Sequence, residues 1–238
     1  MTADGWTRAV RDQLGLGRLL PLGGPRDGAW ITESAAEAVL RRAAGGLREV
    51  RLGPLRIAPA EPEGGHRPVV PAPPSALPPG PLRVTADCAA TASQPLPATV
   101  ARLRAALAAA AAERLGLVVT EVDLRVTALL EEDAGEAEPR DVRAPRPSGA
   151  PREGDEAGAA AAALSVPGVT GLTAVLGRAV HLDERPGGAA ALPRRHARVE
   201  IAVDADHRAL DVARAVRVAV ADAVPDQPTV AVLVTAVG

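Results

Sequence analysis

The sequence predicts an α+β protein of two α-β-β-α-β modules, each a small three-stranded sheet with two helices on one face, joined by a disordered linker. Three observations predict it. Period-two alternation of apolar and polar residues recurs at Leu82–Cys88, Val122–Ala128 and Val199–Val203, as half-buried strands require. Helix-period apolar faces precede and follow those strands in the same order in both halves. A segment rich in Pro, Gly and charge separates the halves, and too few of its residues could repay the entropy of ordering it.

Residues 1–28 hold a short helix candidate around Trp6, Val10 and Leu14, then a turn-rich stretch. The first module spans 29–130. A helix is expected over Thr32 to Ala44, with Ser34 and Glu37 at capping-box spacing and Gly45-Gly46 ending it. Strand alternation follows at Val50, Leu52, Leu55 and Ile57. A proline-rich insert over 58–81 is expected to stay unpacked, because proline favours extended backbone and removes amide donors. Leu82, Val84, Ala86 and Cys88 form one face of the next strand. A long helix then aligns Val100, Leu103, Leu107, Ala111 and Leu115. The closing strand turns Val122, Leu124, Val126 and Ala128 inward, with Asp123, Arg125 and Thr127 in water.

The linker is expected over 131–158 and the second module over 159–238. An alanine helix from Ala157 to Leu164 leads to Val166-Pro167-Gly168-Val169. Strand candidates follow through Leu172, Val175, Val180 and Leu182, then Val199, Ile201 and Val203. A helix buries Val212, Val216, Ala219, Val220 and Ala223, with Asp204 or Asp206 as its cap. The last strand runs from Val230 to Val237. Short echoes (VDLRVTAL against VAVLVTAV, Arg83-Val84 against Arg198-Val199) fall in the same order in both halves and imply an internal duplication.

That last strand is apolar on both faces, so both must be covered. One side meets its own helices. The other meets either the first module or another chain, which makes Val230, Val232, Leu233 and Val234 the candidate interaction surface.

Composition narrows the function classes. Hydrophobic residues make up 47% of the 238, with no Phe or Tyr and with Trp6 and Trp30 as the only aromatics. Every basic residue is Arg, which together with the Ala, Gly and Pro content reads as a high-GC bacterial genome. A net charge of −2 gives no support for nucleic acid or anionic lipid as partner. Cys88 is the only cysteine, so no internal disulfide forms and a reducing compartment is expected. The N-terminus lacks a signal-peptide pattern, and the longest apolar run, Ala105 to Ala112, falls short of the roughly 20 residues a membrane span needs.

An enzyme needs ionisable or nucleophilic groups gathered at one place, and the sequence offers no such constellation. Cys88 occupies an apolar strand position, the five serines avoid any nucleophile elbow, and Gly15-Leu16-Gly17 lacks the rest of a dinucleotide fingerprint. No enzyme activity and no cofactor are expected. His181, Asp183, Asp206 and His207 are the weak candidates for a metal, if their two loops share one end of the sheet. The competing reading is a polar loop with a helix cap. Arg194, Arg195 and Arg198, with His196, form a basic cluster that suits phosphate or an acidic partner, or else balances the acidic linker. Gly168-Val169-Thr170-Gly171 has the G-x-x-G form of a KH loop but falls between a helix and a strand, where KH domains place it between two helices.

Val166-Pro167-Gly168-Val169-Thr170-Gly171-Leu172, the strand Arg198 to Val203, the helix Leu210 to Val224 and the terminal valine strand follow one another in a familiar order. In them the stretch from Asp155 to Gly238 resembles the alkaline-shock protein family, also called the bacterial envelope stress response family. Residues Trp30 to Leu130 look like a decayed second copy. Asp204-Ala205-Asp206 stands where family members usually carry a Tyr-Gly pair, and the usual Asn of the last strand is absent. The resemblance implies a cytoplasmic, non-catalytic protein linked to alkaline and cell-wall stress. It would sit near the inner face of the membrane through a small membrane-anchor protein, without inserting itself, and associate with itself or related members. A small-ligand or metal-binding module is the alternative, and KH-like nucleic-acid binding a distant third.

Overall fold

The computed structural model describes residues 17–131, 148–149, 153–185 and 194–238. The helix expected around Trp6 and most of the expected linker lie outside them. Within them the chain is a mixed α+β fold with two sheets.

A hairpin of β1 (Leu19–Leu22) and β2 (Ala29–Thr32) opens the chain. Helix α1 (Glu33–Gly45) follows directly. Its cap is Thr32, whose Oγ1 accepts the Ala35 amide at 3.3 Å, so the cap stands two residues before the expected Ser34. Ser34 bonds to Thr32 instead, and Glu37 pairs with Arg41 one turn on. Thr32 wins because β2 is pinned in a sheet, which fixes where the helix can begin. The helix ends at Gly46, as expected.

β3 (Val50–Pro59) runs antiparallel to β4 (Leu82–Thr91), and β4 is parallel to β5 (Val119–Leu130), making a three-stranded sheet in the order β3-β4-β5. Helix α2 (Leu96–Ala109) and a π-helical turn (Ala110–Leu115) connect β4 to β5. Leu103, Leu107, Ala111 and Leu115 are buried as the periodicity requires, with Thr99 inside where Val100 was expected. Gly116 then reverses the chain at φ +86°, a value L side chains rarely adopt, and a Cβ there would meet Leu210 at 2.5 Å.

The second sheet has six strands where three are expected. Helix α3 (Gly154–Leu164) starts inside the expected linker. β6 (Val169–Leu172) and β7 (Val180–Arg185) both pair antiparallel with β8 (Arg194–Val203). Helix α4 (Ala209–Ala223) crosses over to β9 (Thr229–Val237), which is parallel to β8. Arg208 takes the cap position of α4 with no side-chain bond, while Asp204 closes a turn onto the Asp206 amide at 2.7 Å. β2 adds in parallel on the far side of β9. The extra strands are therefore the N-terminal hairpin and a first strand broken in two.

Helix α1 packs against β9 on one side and β3 on the other, and one apolar core joins helices and sheets. Small aliphatic side chains fill it, with Leu20, Ile31, Leu103, Ile201 and Val232 among those fully buried.

The insert over 58–81 is packed, contrary to expectation. β3 runs through its first residues to Pro59. Beyond that it crosses the open face of the six-stranded sheet as a strap. Leu77 donates its amide to the Leu19 carbonyl at 2.9 Å, Ala76 bridges to Leu19, and Trp30 Nε1 donates to the Leu77 carbonyl at 3.3 Å. Val70 is buried beside Trp30, Leu19, Ala231 and Leu233. Extended proline-rich backbone can do this because it needs no ladder of amides, only a flat apolar surface to lie on.

Candidate functional site

The register of β9 decides the first candidate surface. Val230, Val232 and Val234 face the helices, and Leu233 faces Trp30 and Val70 under the strap. All four are 2% exposed or less. The two-faced apolar strand is covered on both sides by its own chain, so these residues offer no free surface. The strap covers the second face, and the N-terminal hairpin pairs along the edge of the strand.

Where the strap passes beyond β9, the same sheet face turns polar. Period-two alternation places Val199 and Ile201 on the helix side and His196, Arg198 and Glu200 on the strap side of β8. Arg198 is opposite His181 and His196 opposite Asp183 across the β7–β8 ladder. These four residues, with Ala72, Pro73 and Pro74 of the strap, line a groove of about 230 Å³. His196 Nδ1 lies 2.9 Å from Thr229 Oγ1. His181 Nδ1 and Arg198 Nε are buried without a hydrogen-bond partner among the described residues.

Glu200 forms the inner end of this row, 0% exposed and level with Leu233. Its carboxylate accepts the Val175 amide at 2.6 Å and the Leu176 amide at 3.2 Å, and Arg198 Nε lies 3.8 Å away. It thereby holds the turn between β6 and β7. Burial pushes its pKa from 4.5 up to about 7, against the opposing pull of the two amides and Arg198. The folded state thus binds this proton more tightly than the unfolded chain. Stability from this group is full below pH 4.5 and falls as pH rises to about 7, by about 3 kcal/mol in all. Urea titrations of wild type and Glu200→Gln at pH 5 and pH 8 are expected to show that loss in wild type alone. An equal pH slope in both proteins refutes it.

The four metal candidates are not brought together. His181 is level with Arg198, whereas Asp206 and His207 lie beyond Val203 at the far end of β8, where His207 sits 3.9 Å from Asp204. No group of three or more His, Cys, Asp or Glu side chains suited to a metal occurs among the described residues. The basic cluster is also dispersed. Arg195 pairs with Asp155 at 2.8 Å and Arg198 turns toward Glu200, while the side chain of Arg194 lies outside the described set. Cys88 is buried, and burial raises its thiol pKa. Gly168 turns the chain after α3 at φ +89° and Gly171 lies within β6, so the G-x-x-G string caps no helix.

The other chemically open element is β5. It ends its sheet with only β4 beside it. Asp123, Arg125 and Thr127 on its outer face are exposed, and Val122, Leu124 and Val126 on the other face touch the core. Sequence reasoning placed those side chains correctly, but Ala128, expected inward, is exposed, because the register with β4 shifts between Val126 and Ala128. Alternation also could not tell that this strand, and not β9, would be left at an edge.

No family model and no curated protein matches the chain. Among solved structures, it is similar to a MamM-CTD structure of a doubly substituted form, at 12% identity over 41% of this chain and 94% of that one. The TM-score of 0.27 makes this likeness too loose to bear on fold or function. Among the described residues no helix is long and apolar enough to cross a membrane.

Proposed function

We propose that this chain is a non-enzymatic accessory protein of the envelope-stress type, acting through protein–protein contacts and self-association near the inner face of the membrane. On this reading α1-β3-β4-α2-β5 and α3-β6/β7-β8-α4-β9 are two descendants of one module. Each begins with a helix, pairs its early strands antiparallel and closes with a parallel crossover. A small membrane-anchor protein and related family members are the proposed partners.

The observation that carries the reading is the twelve-residue edge of β5. An unpaired strand edge is a template for another chain, and natural proteins cover or interrupt such edges unless they use them. β1 is shielded by the strap at Leu19. β3 is capped by Arg41 on the Leu52 and Gly53 carbonyls and by Arg18 on the Ile57 carbonyl. Along β5, one side chain intervenes in the hydrogen bonds described, Arg104 donating to the Val122 carbonyl at 3.0 Å.

Fractionation of native cells tests the envelope reading. The protein is expected in the inner-membrane fraction, released by salt or alkaline wash without detergent, and its loss should sensitise cells to alkali and wall-active agents. A protein wholly in the soluble fraction, with a deletion indifferent to both stresses, defeats it.

His181 Nδ1 and Arg198 Nε, buried with no hydrogen-bond partner among the described residues, favour a second reading, a small polar ligand in the groove beneath Pro73 and Pro74. A ligand bound to the folded state raises the melting temperature. A nucleotide or inorganic phosphate should then give a rise that Arg198→Ala removes, since a guanidinium holds anions. No rise with either ends this reading.

A further inference from the structure

We propose that a second copy of this chain pairs antiparallel along the outer edge of β5, with the two-fold axis at Leu124, so that Asp123 of each copy meets Arg125 of the other. This rests on the self-association reading and names its site and register.

The register follows from charge. Between the irregularities flanking it, β5 is regular from Glu121 to Val126. If both helical layers lie on the same side, outer-face residues can meet only outer-face residues, because side chains alternate strictly along a strand. Four two-fold centres then remain. An axis at Val122 sets Glu121 against Asp123. An axis at Asp123 sets that carboxylate against itself, and one at Arg125 sets two guanidinium groups together. Like charges directly opposite are destabilising. An axis at Leu124 alone matches Asp123 with Arg125, twice, with no like-charge pair. On the inner face it brings Val122 against Val126 and Leu124 against Leu124, extending two apolar rows already packed on their cores.

The charges are available for it. Asp123 keeps 64% of its side chain exposed despite a 3.6 Å contact with Arg83, whose closer partner is Glu121. Arg125 is exposed and has no ion-pair partner among the described residues. Arg104 at the Val122 carbonyl is an exposed side chain and can swing aside. The product is one six-stranded sheet across two copies. A single strand pairing is a small interface, so the dimer should be concentration-dependent.

Sedimentation velocity of the full chain over a wide concentration range at low salt tests this. Wild type is expected to dimerise. Asp123→Arg and Arg125→Asp each turn two attractive pairs into repulsive ones, and each should weaken the dimer at least about tenfold. Mixing the two variants should restore a dimer, since Arg now meets Asp at both pairs. The double swap Asp123→Arg/Arg125→Asp should restore it within one chain. Both sites are on the surface, and circular dichroism should show all variants folded. A wild-type dimer indifferent to the single swaps overturns the register while leaving self-association standing. Single variants that stay monomeric when mixed overturn it too. A wild type monomeric at every concentration overturns the second copy as occupant, whatever cell fractionation reports.

Discussion

Leu233→Asp is expected to prevent folding, not to weaken an association. Leu233 is 0% exposed at the centre of the six-stranded sheet, with Trp30 and Glu200 as its register neighbours. Removing a buried leucine side chain costs about 2–5 kcal/mol. A carboxylate put in its place has no water and no partner, which adds several more. Glu200, on the adjacent strand, would be a second acid in the same dry layer. The sum approaches the total stability of an ordinary domain, about 5–15 kcal/mol. Circular dichroism and near-UV spectra of the variant should therefore show lost tertiary structure. A folded Leu233→Asp chain with altered sedimentation would mean instead that this strand is accessible in solution.

How far the sequence could be read depends on whether an element's partner is local. The face assignments of β4 and β8, and of β5 as far as Thr127, follow from alternation alone, and Val84, Cys88, Val199 and Ile201 are buried as the pattern demands. The need to cover both faces of Val230–Val237 was also legible. What covers the second face was not, because Val70 and Leu77 sit among prolines, and composition argues against packing there. That argument concerns hydrogen-bonded structure, and a strap held by a few contacts escapes it. Glu200 was legible as a residue facing away from the helices. Its complete burial was not, because its cover is the turn at Val175 and Leu176, created by the break between β6 and β7. The cap at Thr32 was missed for a similar reason. Thr32 and Ser34 both suit the position, and the choice is made by pairing of β2 with β9, some two hundred residues away in sequence.

Trp30→Ala should have the next largest effect, and it separates the strap from the rest of the core. Trp30 is 1% exposed and is the largest side chain buried in the described residues. It packs beside Leu233 of the sheet and against Val70 of the strap in one cluster, and its Nε1 donates to the Leu77 carbonyl. Truncating a buried tryptophan costs about 3–5 kcal/mol, and here the lost bond also frees a strap whose remaining described ties near it are the Leu77–Leu19 amide bond and the bridge at Ala76. The helix side of the sheet, built on Val199, Ile201, Val232 and Val234, keeps its own contacts. Chemical denaturation should show a stability loss of about 4 kcal/mol. Hydrogen exchange under native conditions should show the amides of Val69 and Leu77, bonded to the Pro25 and Leu19 carbonyls, losing protection before those of β8 and β9. Uniform loss of protection across strap and sheet would mean that the strap is part of one cooperative unit, and that the open face of β9 never separates from its cover short of global unfolding.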